Sequence, residues 1–112
     1  MNYLFPEKHT VIHYFFNGFK PWEQQGISHT WAAFTLPTMF TVNQLIRQLR
    51  RESNDEGLDG ISECIEVGDG VWRQGFSFKL GDPNSDQTLE ELGWTEARGT
   101  VSKPVWLALY KT

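Results

Sequence analysis

The sequence predicts an α+β domain in which a mixed sheet wraps one main helix. Three observations carry that reading. A capped, amphipathic segment at about residues 41–52 announces the helix. Runs rich in β-branched and aromatic residues lie on both sides of it. A short helical turn, Thr88-Leu89-Glu90-Glu91-Leu92-Gly93, then leads to an alternating strand from Val105 to Tyr110.

Residues 1–8 read as a loose leader ahead of a single domain over 9–112. Val11-Ile12-His13-Tyr14-Phe15-Phe16 favours a strand, broken by Asn17-Gly18 and Lys20-Pro21. A second strand is expected from Ile27 to Leu36, with Ala32, Phe34 and Leu36 on one face and Trp31, Ala33 and Thr35 on the other. The connection between them is longer than a tight hairpin. Thr41 can cap the helix, and Gln44 three residues later matches a capping box. Phe40 and Leu45 occupy the positions of a hydrophobic staple, and Val42, Leu45, Ile46 and Leu49 form one apolar stripe. Ser53-Asn54-Asp55-Glu56-Gly57 ends the helix. A hairpin near 61–80 is signalled by Asp69-Gly70 between two strand-like runs. In its second run Trp72, Phe76, Phe78 and Leu80 are expected on one face, and Arg73, Ser77 and Lys79 on the other. Gly81 to Asp86 reads as a loop, Leu89 and Leu92 as inward residues, and Arg98-Gly99-Thr100 with Ser102-Lys103-Pro104 as the final turns. No linker composition marks either end, which favours a complete small protein.

A chain of 112 residues should form one core. With eight Phe, five Trp and three Tyr, it carries more aromatic surface than one helix and a modest sheet should bury, which favours an interface. The net charge of −4 speaks against a general nucleic-acid binder. Arg47, Arg50 and Arg51 sit where cations favour a helix C-terminus. The start lacks a signal peptide's basic end and apolar segment, and no apolar run approaches the ~20 residues of a membrane span. The expectation is a cytoplasmic or nuclear protein with no membrane partner.

The order of elements resembles the ubiquitin-like β-grasp superfamily. The residues that carry the likeness are Phe34-x-Leu36, Thr41-Val42-x-x-Leu45-x-x-x-Leu49, Gly81-Asp82, Thr88-Leu89-Glu90-Glu91-Leu92 and Val105-x-Leu107-x-Leu109. The resemblance implies a central last strand whose outer face binds partners. It also implies that the hairpin near 61–80 is an addition to the minimal fold. The chain ends Tyr110-Lys111-Thr112 without the diglycine tail of conjugated modifiers and sulfur carriers, so conjugation to targets is not expected. The one cysteine, Cys64, falls short of the four thiolates of a cluster ferredoxin.

No motif for catalysis or metal binding stands out. His9, His13 and His29 lack a shared metal-binding face, and Cys64 lies between Glu63 and Glu66, a field that disfavours a thiolate. Asp55-Glu56-Gly57-Leu58-Asp59-Gly60 lacks the ligand pattern of a calcium loop, and Gly68-x-Gly70 lacks the third glycine and helix of a phosphate loop. No cofactor and no enzymatic activity is expected. The better candidate is a surface. If Val105, Leu107 and Leu109 face the core, Trp106, Ala108 and Tyr110 face outward, with Lys79 and Ser77 beside them and Trp31 and Trp22 extending the patch. The expected function is a non-catalytic protein-interaction module docking an unidentified protein on Trp106, Ala108 and Tyr110, with Lys79 giving polar selectivity. The alternatives are small-ligand or carbohydrate binding through Trp22, Trp31 and Trp106, and a structural protein that self-associates as a homo-oligomer. A covered aromatic second core is the competing reading of the same residues.

Overall fold

The computed structural model describes residues 8–16, 18–24, 30–95 and 105–112. Its elements are β1 His9–Phe15, β2 Trp31–Pro37, α1 Val42–Glu52, β3 Gly60–Glu66, β4 Trp72–Lys79, a 3₁₀ turn at Pro83–Asp86, and β5 Val105–Tyr110. They form a five-stranded mixed sheet in the order β2-β1-β5-β3-β4. β1 runs antiparallel to β2 and parallel to β5, and β3 runs antiparallel to both β5 and β4.

Local chemistry explains the helix. Thr41 Oγ1 accepts from the Gln44 amide at 3.2 Å, and Gln44 Oε1 accepts from the Thr41 amide at 2.8 Å. Two of the amides that a helix leaves unpaired are thereby satisfied reciprocally. Arg50 and Arg51 occupy the last turn, where cations oppose the helix dipole. The stripe Val42, Leu45, Ile46 and Leu49 is fully buried. It packs in one cluster with Ile12, Tyr14, Leu36, Ile61, Phe78, Trp94, Val105, Leu107 and Leu109. At roughly 1.5–3 kcal/mol per buried aliphatic side chain, this burial outweighs helix propensity as the reason the element persists.

The segment after β4 is tied to the start of the helix. Buried Asn43 accepts from the Gly81 amide at 2.9 Å and donates to Asp86 at 2.8 Å. The Val42 amide donates to Gln87, the Leu89 amide to Phe40, and Ser85 Oγ to the Lys79 carbonyl. Residues 81–86, expected as plain loop, therefore contain the 3₁₀ turn, whereas residues 88–93 form hydrogen-bonded turns. Leu89 is buried as expected and Leu92 packs partly against the core.

The hairpin near 61–80 is formed by β3 and β4, which join the single sheet beside β5. Two expectations are corrected. Trp72 does not share a face with Phe78. Between the pairs Ser62↔Ser77 and Cys64↔Gln74 the register shifts, so Gly75 and Phe76 together oppose Glu63. This extra residue is a β-bulge, and it reverses the alternation of β4. Phe78 faces the helix, Trp72 packs on the other face, and Phe76 is left 64% exposed. Glycine at 75 makes the close approach possible, since a Cβ there would lie 2.7 Å from Glu63 Oε1. Second, β1 begins at His9 and β2 runs from Trp31, shifted from the expected bounds. Residues 27–29, residues 1–7 of the leader and the turns over 98–104 lie outside the described residues.

Removing the Thr41 cap with Thr41→Ala should destabilise the domain by about 1 kcal/mol in urea unfolding, with the slope unchanged. A loss below ~0.3 kcal/mol would mean that the 81–94 wrap, not the cap, fixes the helix start.

Candidate functional site

Strand register determines what the outer face of the sheet displays. One row across it reads Trp31, Phe15, Ala108, Ser62, Ser77, and the next reads Ala33, His13, Trp106, Cys64, Gln74. Tyr110, Gly60 and Lys79 stand in the row on the other side of Ala108. Trp106 is the hub of an aromatic cluster. Its ring contacts Phe15 at 5.4 Å, Trp31 at 5.1 Å, Trp72 at 5.6 Å and His13 at 4.7 Å between centroids. His13 is stacked on Trp31 at 4.6 Å. Such ring pairs add roughly 0.5–1.5 kcal/mol each beyond area burial.

This face is largely covered. Phe15, Phe19, Cys64, Ala108 and Tyr110 form a second buried cluster, with Trp22, Trp72 and Trp106 packed against it. The cover comes from the β1–β2 connection. Phe19 meets Phe15 edge-on at 5.7 Å, Trp22 meets Tyr110 at 5.9 Å, and Lys20 Nζ lies 5.0 Å from the Tyr110 ring centre. The Tyr110 ring also lies over Gly60, where an added Cβ would come within 2.8 Å of it. Tyr110 Oη hydrogen-bonds Ser62 Oγ, which also bonds Ser77 Oγ and Gln74. The network satisfies buried hydroxyls, and it contains no base that would activate one as a nucleophile.

The predicted site residues are therefore not one open patch. Ala108 is fully buried and Tyr110 is 8% exposed, a correction to their expected exposure. The physical reason is the length of the β1–β2 connection, which lets Phe19 and Trp22 fold back over the sheet. Trp106 and Trp22 are half-buried, whereas Trp31 is 48% exposed. Lys79 is exposed on the opposite edge strand, four strand spacings or roughly 19 Å from Trp31. What remains accessible together is the end of the cluster at Trp31, His13 and Trp106.

His13 and Phe15 were missed as members of this face. The signal was present: if Ile12 and Tyr14 point inward, period-two alternation places His13 and Phe15 outward beside Trp106. His13 carries a buried Nδ1 with no hydrogen-bond partner, and desolvation by burial holds its pKa below the ordinary 6.5. Glu63 was also missed. It is buried on the inner face and accepts from Trp94 Nε1 at 3.1 Å, the pair joining β3 to the turn after the 3₁₀ segment. Burial, and secondarily the neighbouring Glu63, pushes the Cys64 thiol far up. Among the described residues no three His, Cys, Asp or Glu side chains converge as a metal site, and no helix is long and apolar enough to cross a membrane. The chain matches no protein-family model and no curated protein sequence.

Native Cys64 should resist a thiol reagent such as iodoacetamide at pH 8 and react promptly once the domain is unfolded. Rapid native labelling would contradict the burial of the outer face. Because the folded pKa of His13 is depressed, its contribution to stability is present above about pH 6.5 and lost as pH falls through the lowered value. His13→Phe should therefore flatten the pH dependence of the melting temperature below about pH 6.5. An unchanged slope would remove His13 from that role.

Proposed function

We propose that this chain is a ubiquitin-like β-grasp domain working as a non-catalytic protein-interaction module. The strand order β2-β1-β5-β3-β4, with one helix following the first two strands and a central β5, supports the fold reading. The docking surface is the open end of the outer-face cluster, formed by Trp31 with His13 and Trp106. The observation that carries this is Trp31, a large aromatic on an edge strand, 48% exposed and held rigid by stacking on His13. A preordered aromatic flanked by half-buried rings is the composition of an interface anchor. Ala108, Tyr110 and Trp22 support this surface from beneath and beside it. Lys79, at the far edge, serves only a partner broad enough to span the sheet.

The test is affinity capture with wild type and Trp31→Ala. Trp31 takes no part in the helix-facing core, so the variant should keep the fold. A genuine partner should lose about 2 kcal/mol of binding, or ~30-fold in Kd, while circular dichroism stays unchanged. Unchanged affinity for every captured protein would overturn the reading. A glycan or metabolite that quenches tryptophan fluorescence, or a concentration-dependent dimer, would replace it with small-ligand binding or self-association.

A further inference from the structure

The helix side of the sheet is left uncovered at the end of the β3–β4 hairpin. Ile61 and Glu63 point to that side, so alternation sends Ile65 and Val67 the same way. Ile65 is paired with Arg73, and the Val67 amide donates to the Val71 carbonyl at 2.9 Å. Residues opposite one another share a face, so Arg73 and Val71 stand there as well. On β4, Phe78 faces the helix and Ser77 faces away, bonded to Ser62, which turns Phe76 back to the helix side. Gly75 shares that side, because a Cβ there would lie 3.2 Å from Ile65 Cδ1. The bulge thus brings two successive residues to one face, and it aims Phe76 away from the outer cluster.

Phe76 is 64% exposed, and Val67, Ile65 and Val71 are 51, 44 and 41% exposed. The cover supplied by α1 reaches Ile61 and Phe78, and Trp94 closes the next position by bonding Glu63. Beyond that line four large apolar side chains continue the same face in the open. Single exposed apolar residues are ordinary, whereas a contiguous group on adjoining strands marks a contact surface. Arg73 lies among them, exposed and without an ion pair or hydrogen bond to a described residue. The other charge on this stretch, Glu63, is buried and held by Trp94.

The patch runs over three successive pairings, roughly 13 Å, which about two turns of helix would cover. The same face already takes an apolar helical stripe from α1, and its bare end offers the same chemistry to another helix. A free guanidinium amid apolar groups complements a stripe flanked by carboxylates. A second copy of this chain fits poorly. Its own helical stripe is buried, and a two-fold contact through the patch would set Arg73 against Arg73.

We propose that the helix-side end of the β3–β4 hairpin binds an acidic amphipathic helix of a partner protein, its apolar stripe on Phe76, Ile65, Val67 and Val71 and a carboxylate on Arg73. The site lies on the opposite face of the sheet from Trp31, His13 and Trp106, and it is independent of them.

The test is an NMR titration of the full isotope-labelled chain with two blocked peptides, each about four helical turns long. One is built on the repeat Leu-Glu-Ala-Leu-Leu-Glu-Ala, and the other carries lysine for every glutamate. The expected result is a shift of the Ile65, Val67 and Val71 methyl groups and the Phe76 ring with the glutamate peptide. The lysine peptide should bind at least about tenfold more weakly, and Arg73→Glu should reverse that preference. Phe76→Ala removes a side chain that belongs to neither buried cluster, and it should weaken the glutamate peptide about tenfold without changing the thermal melt. No shift at millimolar peptide would overturn the proposal. So would equal affinity for the two peptides, or shifts confined to Trp31 and its neighbours. Concentration-dependent shifts of the same groups without peptide would show that a second copy is the occupant, and would overturn it as well. Trp31→Ala, which tests the outer face, should bind the glutamate peptide as wild type does, so the two proposals fail separately.

Discussion

Strand β5 has to be dry on both faces, and most of the architecture follows from that requirement. Leu107, Ala108 and Leu109 are all fully buried, although successive residues point to opposite sides of the sheet. The helix covers one side with Val42, Leu45, Ile46 and Leu49. Among the described residues the other side has no second helix. Its cover is assembled from rings: Phe15, Trp72 and Trp106 on the strands, and Phe19 with Trp22 from the β1–β2 connection. The aromatic excess of the composition is thus largely consumed in closing the second face. The buried hydroxyls there are paired, Tyr110 with Ser62 and Ser62 with Ser77 and Gln74, whereas the buried His13 Nδ1 has no partner. Leaving the Tyr110 or Ser62 hydroxyl unpaired would cost roughly 1–3 kcal/mol.

The fold class was legible because its signals are local. Thr41 and Gln44 announce a capping box, Val42 to Leu49 a stripe, and Asp69-Gly70 a hairpin whose two turn residues do adopt positive φ. The bulge at Gly75 and Phe76 was not legible. A one-residue shift leaves the hydrophobic pattern of β4 looking continuous while reversing which face each side chain joins. The covered outer face was hidden for a related reason. Alternation separates two faces but does not say which is wet, and Phe19 and Trp22 lie in a segment whose Gly and Pro residues read as connection. Glu63 was missed because a carboxylate within a strand normally marks a solvated face. Its burial depends on Trp94, which is distant in sequence and outside any periodic element.

Once the centre of the sheet is closed on both sides, exposed chemistry is confined to the margins. β4 presents Arg73, Gln74 and Lys79, and its bulge interrupts the regular edge. β2 is different. It is regular and bears no charge. The two edges thus differ in charge and regularity, and Trp31, at the start of β2, is the most accessible tryptophan while Trp94 is fully enclosed.

The most direct test is hydroxyl-radical footprinting of the native domain with residue-resolved mass spectrometry. The account predicts fast modification of Trp31 and Phe76, intermediate modification of Trp22, Trp72 and Trp106, and protection of Tyr110, Phe15 and Trp94. If Tyr110 and Phe15 were modified as fast as Trp31 while Trp94 stayed protected, the outer face would be open, and the covered second core would be contradicted.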